Sequence, residues 1–140
     1  MQHRPAELVE SFYNDVWNNR DFAAAHRIIA ADLRFRGSLG SEKVGIAGFL
    51  DYVDAIHAAL GDYTCIIRDL IENADRVAAR MTFKGRHRGE FFGVAPTGME
   101  IEWAGAAFFT IRDGQIADIW VLGDVDTLKQ QLHTHSAAKF

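Results

Sequence analysis

At Gly61 the spacing of apolar residues changes period, and this change constrains the fold more than any other feature of the chain. Before it, Leu8, Phe12 and Val16 recur four apart with Val9 and Tyr13 beside them, and Phe49, Val53, Ile56 and Leu60 form a second stripe. Both are spacings of amphipathic helices. The first helix is predicted over roughly residues 5–18, with Pro5 in its first turn, where a missing N–H costs nothing. Asp21 is placed to cap a short second helix, FAAAHRIIA, and IAGFLDYVDAIHAAL is the third, with Gly61 placed to end it. A short extended piece, LRFRGSLG, lies between them. After Gly61 the period is two. YTCIIRDLIE, RVAARMTFKGRHRG, MEIEWAGAAFFTIR and QIADIWVLGD read as four strands, with ENAD, APTG and RDG as the turns between them. VDTLKQQL is a short C-terminal helix, and the tail HTHSAAKF is expected to fray. Helices first and antiparallel strands afterwards predict one α+β domain over residues 1–140. Three N-terminal helices would pack on a curved antiparallel sheet, a combination able to form a cone with a ligand pocket inside.

With 140 residues, 49% of them hydrophobic, the chain can bury one substantial core. The formal charge of −4 is spread among mixed acids and bases without a basic block, so nucleic acid is not an expected partner. Cys65 is the single cysteine, which excludes an internal disulfide and a multi-cysteine zinc site. His3, His133 and His135 are terminal, and no phosphate loop, HExxH pattern or GxSxG elbow occurs, so no tight metal site is expected. No apolar run has the length of a membrane span or a signal peptide, and the expected compartment is a reducing cytoplasm.

Few residues look chemical. Asp124 shares alternation parity with Trp120, Leu122 and Ile116, provided no bulge intervenes, which would set it on an apolar inner face. Desolvation there raises a carboxyl pKa, as suits a general base that later returns its proton. Asp124 also stands just before VDTLKQQL and could cap that helix, and backbone N–H bonds would then lower its pKa. His87 has the parity of Met81 and Phe83. It reads as a solvated strand residue, a core histidine with one satisfied nitrogen, or a hydrogen-bond donor to a substrate oxygen. Trp17, Trp103 and Trp120 are core residues or ligand platforms whose indole N–H groups need partners if they face a cavity. Arg36 is a surface residue or a cavity group for a carboxylate or carbonyl oxygen. His57 lies one step off the third helix's apolar stripe, at a boundary or within reach of a pocket.

HRGEFFGVAPTG (His87 to Gly98), DGQIADIW (Asp113 to Trp120) and the aspartate four residues later, Asp124, resemble the SnoaL-like polyketide cyclases, also called ester cyclases. FYNDVWNNRDFAAAHRIIAADLRF is similar to that family's opening helices, so the likeness covers about nine-tenths of the chain. It implies a cone-shaped α+β barrel like nuclear transport factor two and ketosteroid isomerase, and a homodimer or tetramer of dimers joined through the outer sheet face. It implies that Asp124 removes a proton from a carbon flanked by carbonyls, that the enolate closes a ring by an aldol step, and that no cofactor takes part. His87 is then the donor to the enolate oxygen, and Trp120, Trp103, Phe91 and Arg36 are cavity walls, with His57 beside them. FRGSLG departs from the more usual polar stretch at that place. Isomerase, dehydratase and epoxide hydrolase chemistry could use the same parts, and a cone that binds a small hydrophobic metabolite without turnover is the alternative outside enzymes. The outer sheet face, mixed but carrying Phe108 and Ala106, is the expected dimer surface.

Overall fold

The computed structural model describes residues 4–39 and 42–137. Helix α1, Pro5–Ser11, continues without a break into a π-helical segment, Phe12–Asn18. The periodic stretch predicted over residues 5–18 is therefore one rod whose second half is wound wider, a feature that recurs at functional sites. Asp21 accepts the Ala24 N–H at 3.0 Å and starts α2, Phe22–Ile28, as its spacing implied. The chain then enters strand β1, Ile29–Arg36, and the short β2, Glu42–Val44, before helix α3, Ile46–Ala59. Gly61 does not end α3 through a left-handed cap. The backbone turns extended at Leu60 and runs directly into β3, Leu60–Asn73. Strands β4, Arg76–His87, β5, Glu100–Arg112, and β6, Gln115–Gly123, come next, and α4, Val125–Ala137, closes the described chain. The predicted fraying tail is thus helical through residue 137, and residues 138–140 lie outside the described residues.

The four strands read from the period-two pattern form a meander within a six-stranded sheet of order β2-β1-β6-β5-β4-β3. The other two strands, β1 and β2, come from LRFRGSLG and the residues just before and after it. The sheet is mixed, because β1 pairs with β6 in parallel and every other pair is antiparallel. Asp113 and Gly114, both with positive φ, make the two-residue turn between β5 and β6, where glycine's tolerance of that region is required. The fold class is the α+β arrangement expected, a curled sheet wrapped against helices.

One face of the sheet and the helices enclose the core. Val77, Ala79, Met81 and Phe83 of β4 and Trp103, Ala107 and Phe109 of β5 are buried there, as their parity predicts. Phe12 sits at the centre, 5.4 Å from the rings of both Phe49 and Phe109. Burying each such side chain contributes about 1.5–3 kcal/mol. Two amides finish the sheet where neighbouring strands run out. Asn18 exchanges hydrogen bonds with both backbone groups of Cys65, at 2.8 and 3.0 Å, and Gln131 of α4 does the same for Glu102. The first pair satisfies backbone groups of the buried Cys65 that would otherwise lack partners, and the second continues the pairing of β5 on an exposed stretch.

On β6 the expected parity does not hold. A bulge lies between the pairs Thr110–Asp118 and Ile111–Ile116, so an extra residue separates Ile116 from the rest of the strand. Beyond it, Ile119 and Val121 face the core, while Asp118, Trp120 and Leu122 face outward. The apolar neighbours that seemed to surround Asp124 are thus split between two faces.

Candidate functional site

A cavity opens between the π-helical segment, α3 and the inner face of the sheet. Tyr13 and Trp17 line one wall, Tyr52 and Ile56 of α3 a second, and Tyr63, Cys65, Phe83, Trp103 and Val121 the sheet side. The chain from Phe35 through Gly37, Ser38 and Leu39 passes over the remaining side. The space is narrow, with about 30 Å³ open to the centre of a water molecule. Among the described residues its lining contains no Asp, Glu, Lys, Arg or His.

The polar groups in this wall are neutral donors. Burial raises the phenol pKa of Tyr13, Tyr52 and Tyr63, each further raised by the nearby Cys65 thiol, and burial raises the thiol of Cys65 as well. All four keep their protons at neutral pH. The Tyr63 hydroxyl hydrogen-bonds the Cys65 thiol, and the Tyr52 hydroxyl accepts from the Leu39 backbone. The Tyr13 hydroxyl and the Trp103 indole N–H, on residues only 2% and 3% exposed, have no partner among the described residues. Tyr13 is held edge-on by Phe12 and Phe109, and Trp103 is stacked 6.2 Å from Tyr63, so both donors are fixed in place.

Of the residues singled out from the sequence, Trp17 and Trp103 line this cavity. His57 adjoins it without lining it. Its ring stacks on Trp17 at 6.3 Å and meets Tyr63 edge-on, its Nε2 lies 2.8 Å from the Trp17 carbonyl, and burial chiefly lowers its pKa. Trp120 and Arg36 are corrections. The bulge turns Trp120 to the outer face, where the Arg36 guanidinium covers its ring at 4.9 Å and donates to the Val121 carbonyl. Phe91 is buried in the loop after β4, bonded through its backbone to Val94 in both directions and packed on Phe92, away from the cavity.

His87 has the inward parity expected and is fully buried, but β4 has passed the cavity by that point. Its Nδ1 accepts the Thr97 N–H at 3.3 Å and lies 3.0 Å from the Thr97 hydroxyl. Its backbone bonds Met99 and Gly98. The run from His87 to Gly98 is therefore a clasp that closes the β4–β5 loop on itself. Asp124 departs furthest from the apolar surroundings expected for it. It is exposed at the start of α4, accepts the Thr127 hydroxyl at 2.7 Å and the Thr127 N–H at 3.1 Å, and these bonds hold its carboxyl below the ordinary value. The helix-cap reading describes this geometry. The sequence reading missed Tyr13, Tyr52, Tyr63 and Cys65. Their signal was present as aromatic residues at helical spacing (Tyr13 and Trp17) and as alternate positions on β3 (Tyr63 and Cys65).

A family model described as SnoaL-like polyketide cyclase matches residues 7–132. No curated protein matches the chain by sequence. Among solved structures, IdmH, a proposed polyketide cyclase from Streptomyces antibioticus, is 27% identical with a TM-score of 0.83, over 94% of this chain and 99% of that one. TsrD from Streptomyces laurentii is 26% identical with a TM-score of 0.79, over 91% of this chain and 92% of that one. AclR from Streptomyces galilaeus, a proposed hydroxylase, shares the fold at 23% identity and a TM-score of 0.79, over 93% of this chain and 96% of that one.

Proposed function

The chain belongs to the SnoaL-like polyketide cyclase family, and from that premise we propose that it binds an uncharged, carbonyl-bearing hydrophobic molecule in the aromatic cavity and closes a ring in it by intramolecular aldol addition. One observation carries this reading: Tyr13 and Trp103, both in the cavity lining, carry buried donors with no acceptor among the described residues. A buried donor without an acceptor costs about 1–3 kcal/mol, which a ligand oxygen recovers. The bound molecule is uncharged because an ion there would be desolvated with no countercharge among the described residues of the wall. As a carbonyl becomes an enolate its oxygen gains charge, and fixed donors in a dry site favour that state over the neutral one.

Ring closure moves one proton from carbon to a base, joins that carbon to a second carbonyl carbon, and returns a proton to the new alkoxide. Asp124 is the candidate base. It comes directly after Gly123, whose Cα faces Ser38 and the Trp103 indole at the cavity rim. To act, its carboxylate exchanges Thr127 for the substrate, and the Thr127 bonds weaken it as a base until it does. Isomerase, dehydratase or epoxide hydrolase chemistry would place the same donors on the reacting oxygen.

The test is absorbance-monitored cyclisation of a synthetic poly-β-ketone by wild type, Trp103→Phe and Asp124→Asn. Loss of the indole donor is expected to lower kcat about 100-fold, the lower range for one oxyanion donor. Asp124→Asn is expected to keep its melting curve, since Asn also caps helices, and to lose at least about 100-fold in rate. A folded, active Asp124→Asn variant removes Asp124 from the reaction. Binding without turnover is the second reading, favoured by Asp124's exposure and its bonds to Thr127. It requires wild type and Asp124→Asn to bind the compound equally without converting it, and Trp103→Phe to bind it more weakly.

The chain's partner is a second copy of itself, joined through the outer sheet face. Phe108, Trp120 and Leu122 are exposed there, with the Phe108 and Trp120 rings 5.8 Å apart. A contiguous apolar patch of this kind is more stable covered than wet.

A further inference from the structure

We propose that the strap Gly37–Leu39 is the entrance to the cavity, with Leu39 as the plug that an incoming ligand displaces. This deepens the proposed function and rests on its reading of the cavity as the ligand site. The space open to water centres, about 30 Å³, holds a water or two and no carbonyl compound of useful size. A wall must move before anything larger enters. The sheet wall is tied by strand pairing, and Tyr13 and Trp17 are buried in the aromatic cluster. The strap has neither; its bond is the one from the Leu39 backbone to the Tyr52 hydroxyl. The β1–β2 ladder ends at Arg36 paired with Glu42, so residues 37–39 lie outside it. Ser38 and Leu39 are half-buried, and Leu39 packs its side chain against the core from the surface.

Two glycines allow the strap to close this tightly. A Cβ at Gly37 would lie 2.7 Å from the Tyr52 hydroxyl oxygen. A Cβ at Gly123 would lie 2.8 Å from Ser38 Cβ and 3.2 Å from Trp103 Nε1. The closed strap therefore rests on the rim beside the indole donor, and lifting it opens the cavity and uncovers that donor in one motion.

Cys65 gives a readout that needs no ligand. It is the single cysteine, lines the cavity and is 3% exposed, so its reaction with the neutral disulfide 4,4′-dithiodipyridine reports opening. The wild-type rate is expected to change little with urea below the unfolding transition, as local opening requires. Leu39→Ala, which removes the plug, and Gly123→Ala, which wedges Ser38 away, should each raise the rate at least about tenfold with the circular-dichroism melt retained. Asn18→Ala loosens the other flank of Cys65 and should leave the rate within about twofold of wild type. Labelling that tracks the urea dependence of global unfolding would overturn the proposal. So would acceleration by Asn18→Ala without acceleration by Leu39→Ala. The ligand reading fails separately, if Trp103→Phe leaves poly-β-ketone binding and turnover unchanged.

Discussion

Trp103 and Trp120 lie on neighbouring strands of one sheet and do opposite things. Trp103 is 3% exposed and lines the cavity, and its buried indole N–H has no protein partner among the described residues. Trp120 is 40% exposed, covered on one side by the Arg36 guanidinium and flanked by Phe108. The residue type is the same, so the difference comes from strand parity and from the bulge that resets it along β6. An indole on the inner face carries an unmet donor that a ligand can satisfy. An indole on the outer face offers ring area for another surface, and its N–H stays in reach of water. Aromatic content by itself does not mark this site; the face of the sheet does.

The largest expected effect separates the two indoles by stability. Trp103→Ala should cost about 3–5 kcal/mol in urea unfolding, because it opens a void in a packed core. Trp120→Ala in the monomer should cost less than about 1 kcal/mol, the ordinary range for a surface truncation. Equal costs would break the inner and outer assignment.

A second experiment concerns what covers the outer face. Phe108→Arg places a charge in the middle of that patch while leaving the cavity lining intact. Sedimentation should show self-association weaker than wild type by about thirtyfold or more, the range for a central interface residue. A wild-type chain that is monomeric at tens of micromolar would remove the second copy as the partner of Trp120.

The smallest effect belongs to His57, at the border of the cavity. Its pKa lies below 6.5, lowered mainly by burial and also by Arg20, against opposing contributions from the Trp17 carbonyl and Asp54. The unfolded chain therefore binds more protons than the folded one in this window, so stability rises with pH. It is complete above 6.5 and declines as pH falls through the folded value. Because the ring is half-exposed, the change should stay under about 0.5 kcal/mol after solvent screening. His57→Gln, which can still reach the Trp17 carbonyl, should flatten melting temperature between pH 7.5 and 5.5 relative to wild type. An unchanged slope would assign the pH dependence to other groups.

The helices and the meander were legible because amphipathic periods record burial directly: Leu8, Phe12 and Val16 could only be one stripe, and Val77 to Phe83 only one face. The inner parity of His87 and Trp103 was legible for the same reason. The family likeness, too, was carried by residues in the chain, although the His87–Gly98 run that marked it most specifically proves to be a loop clasp. What a period of two cannot record is an extra residue. The bulge before Asp118 reversed the faces of Trp120 and Leu122, and with them the surroundings inferred for Asp124.

The sequence by itself determined the α+β class, the order of elements and most of the core, because each depends on local spacing and on the number of apolar side chains to be buried. Tertiary structure decided which groups meet. Tyr13, Tyr52, Tyr63, Cys65 and Trp103 come from the π-helical segment, α3, β3 and β5, and no local pattern links positions so far apart. It also decided the protonation of that wall, since desolvation by the whole fold raises the phenols and the thiol, while the exposed start of α4 lets Thr127 lower Asp124. Burial is a property of the folded surface, and an ionisable group takes its chemistry from that surface rather than from its neighbours in the chain.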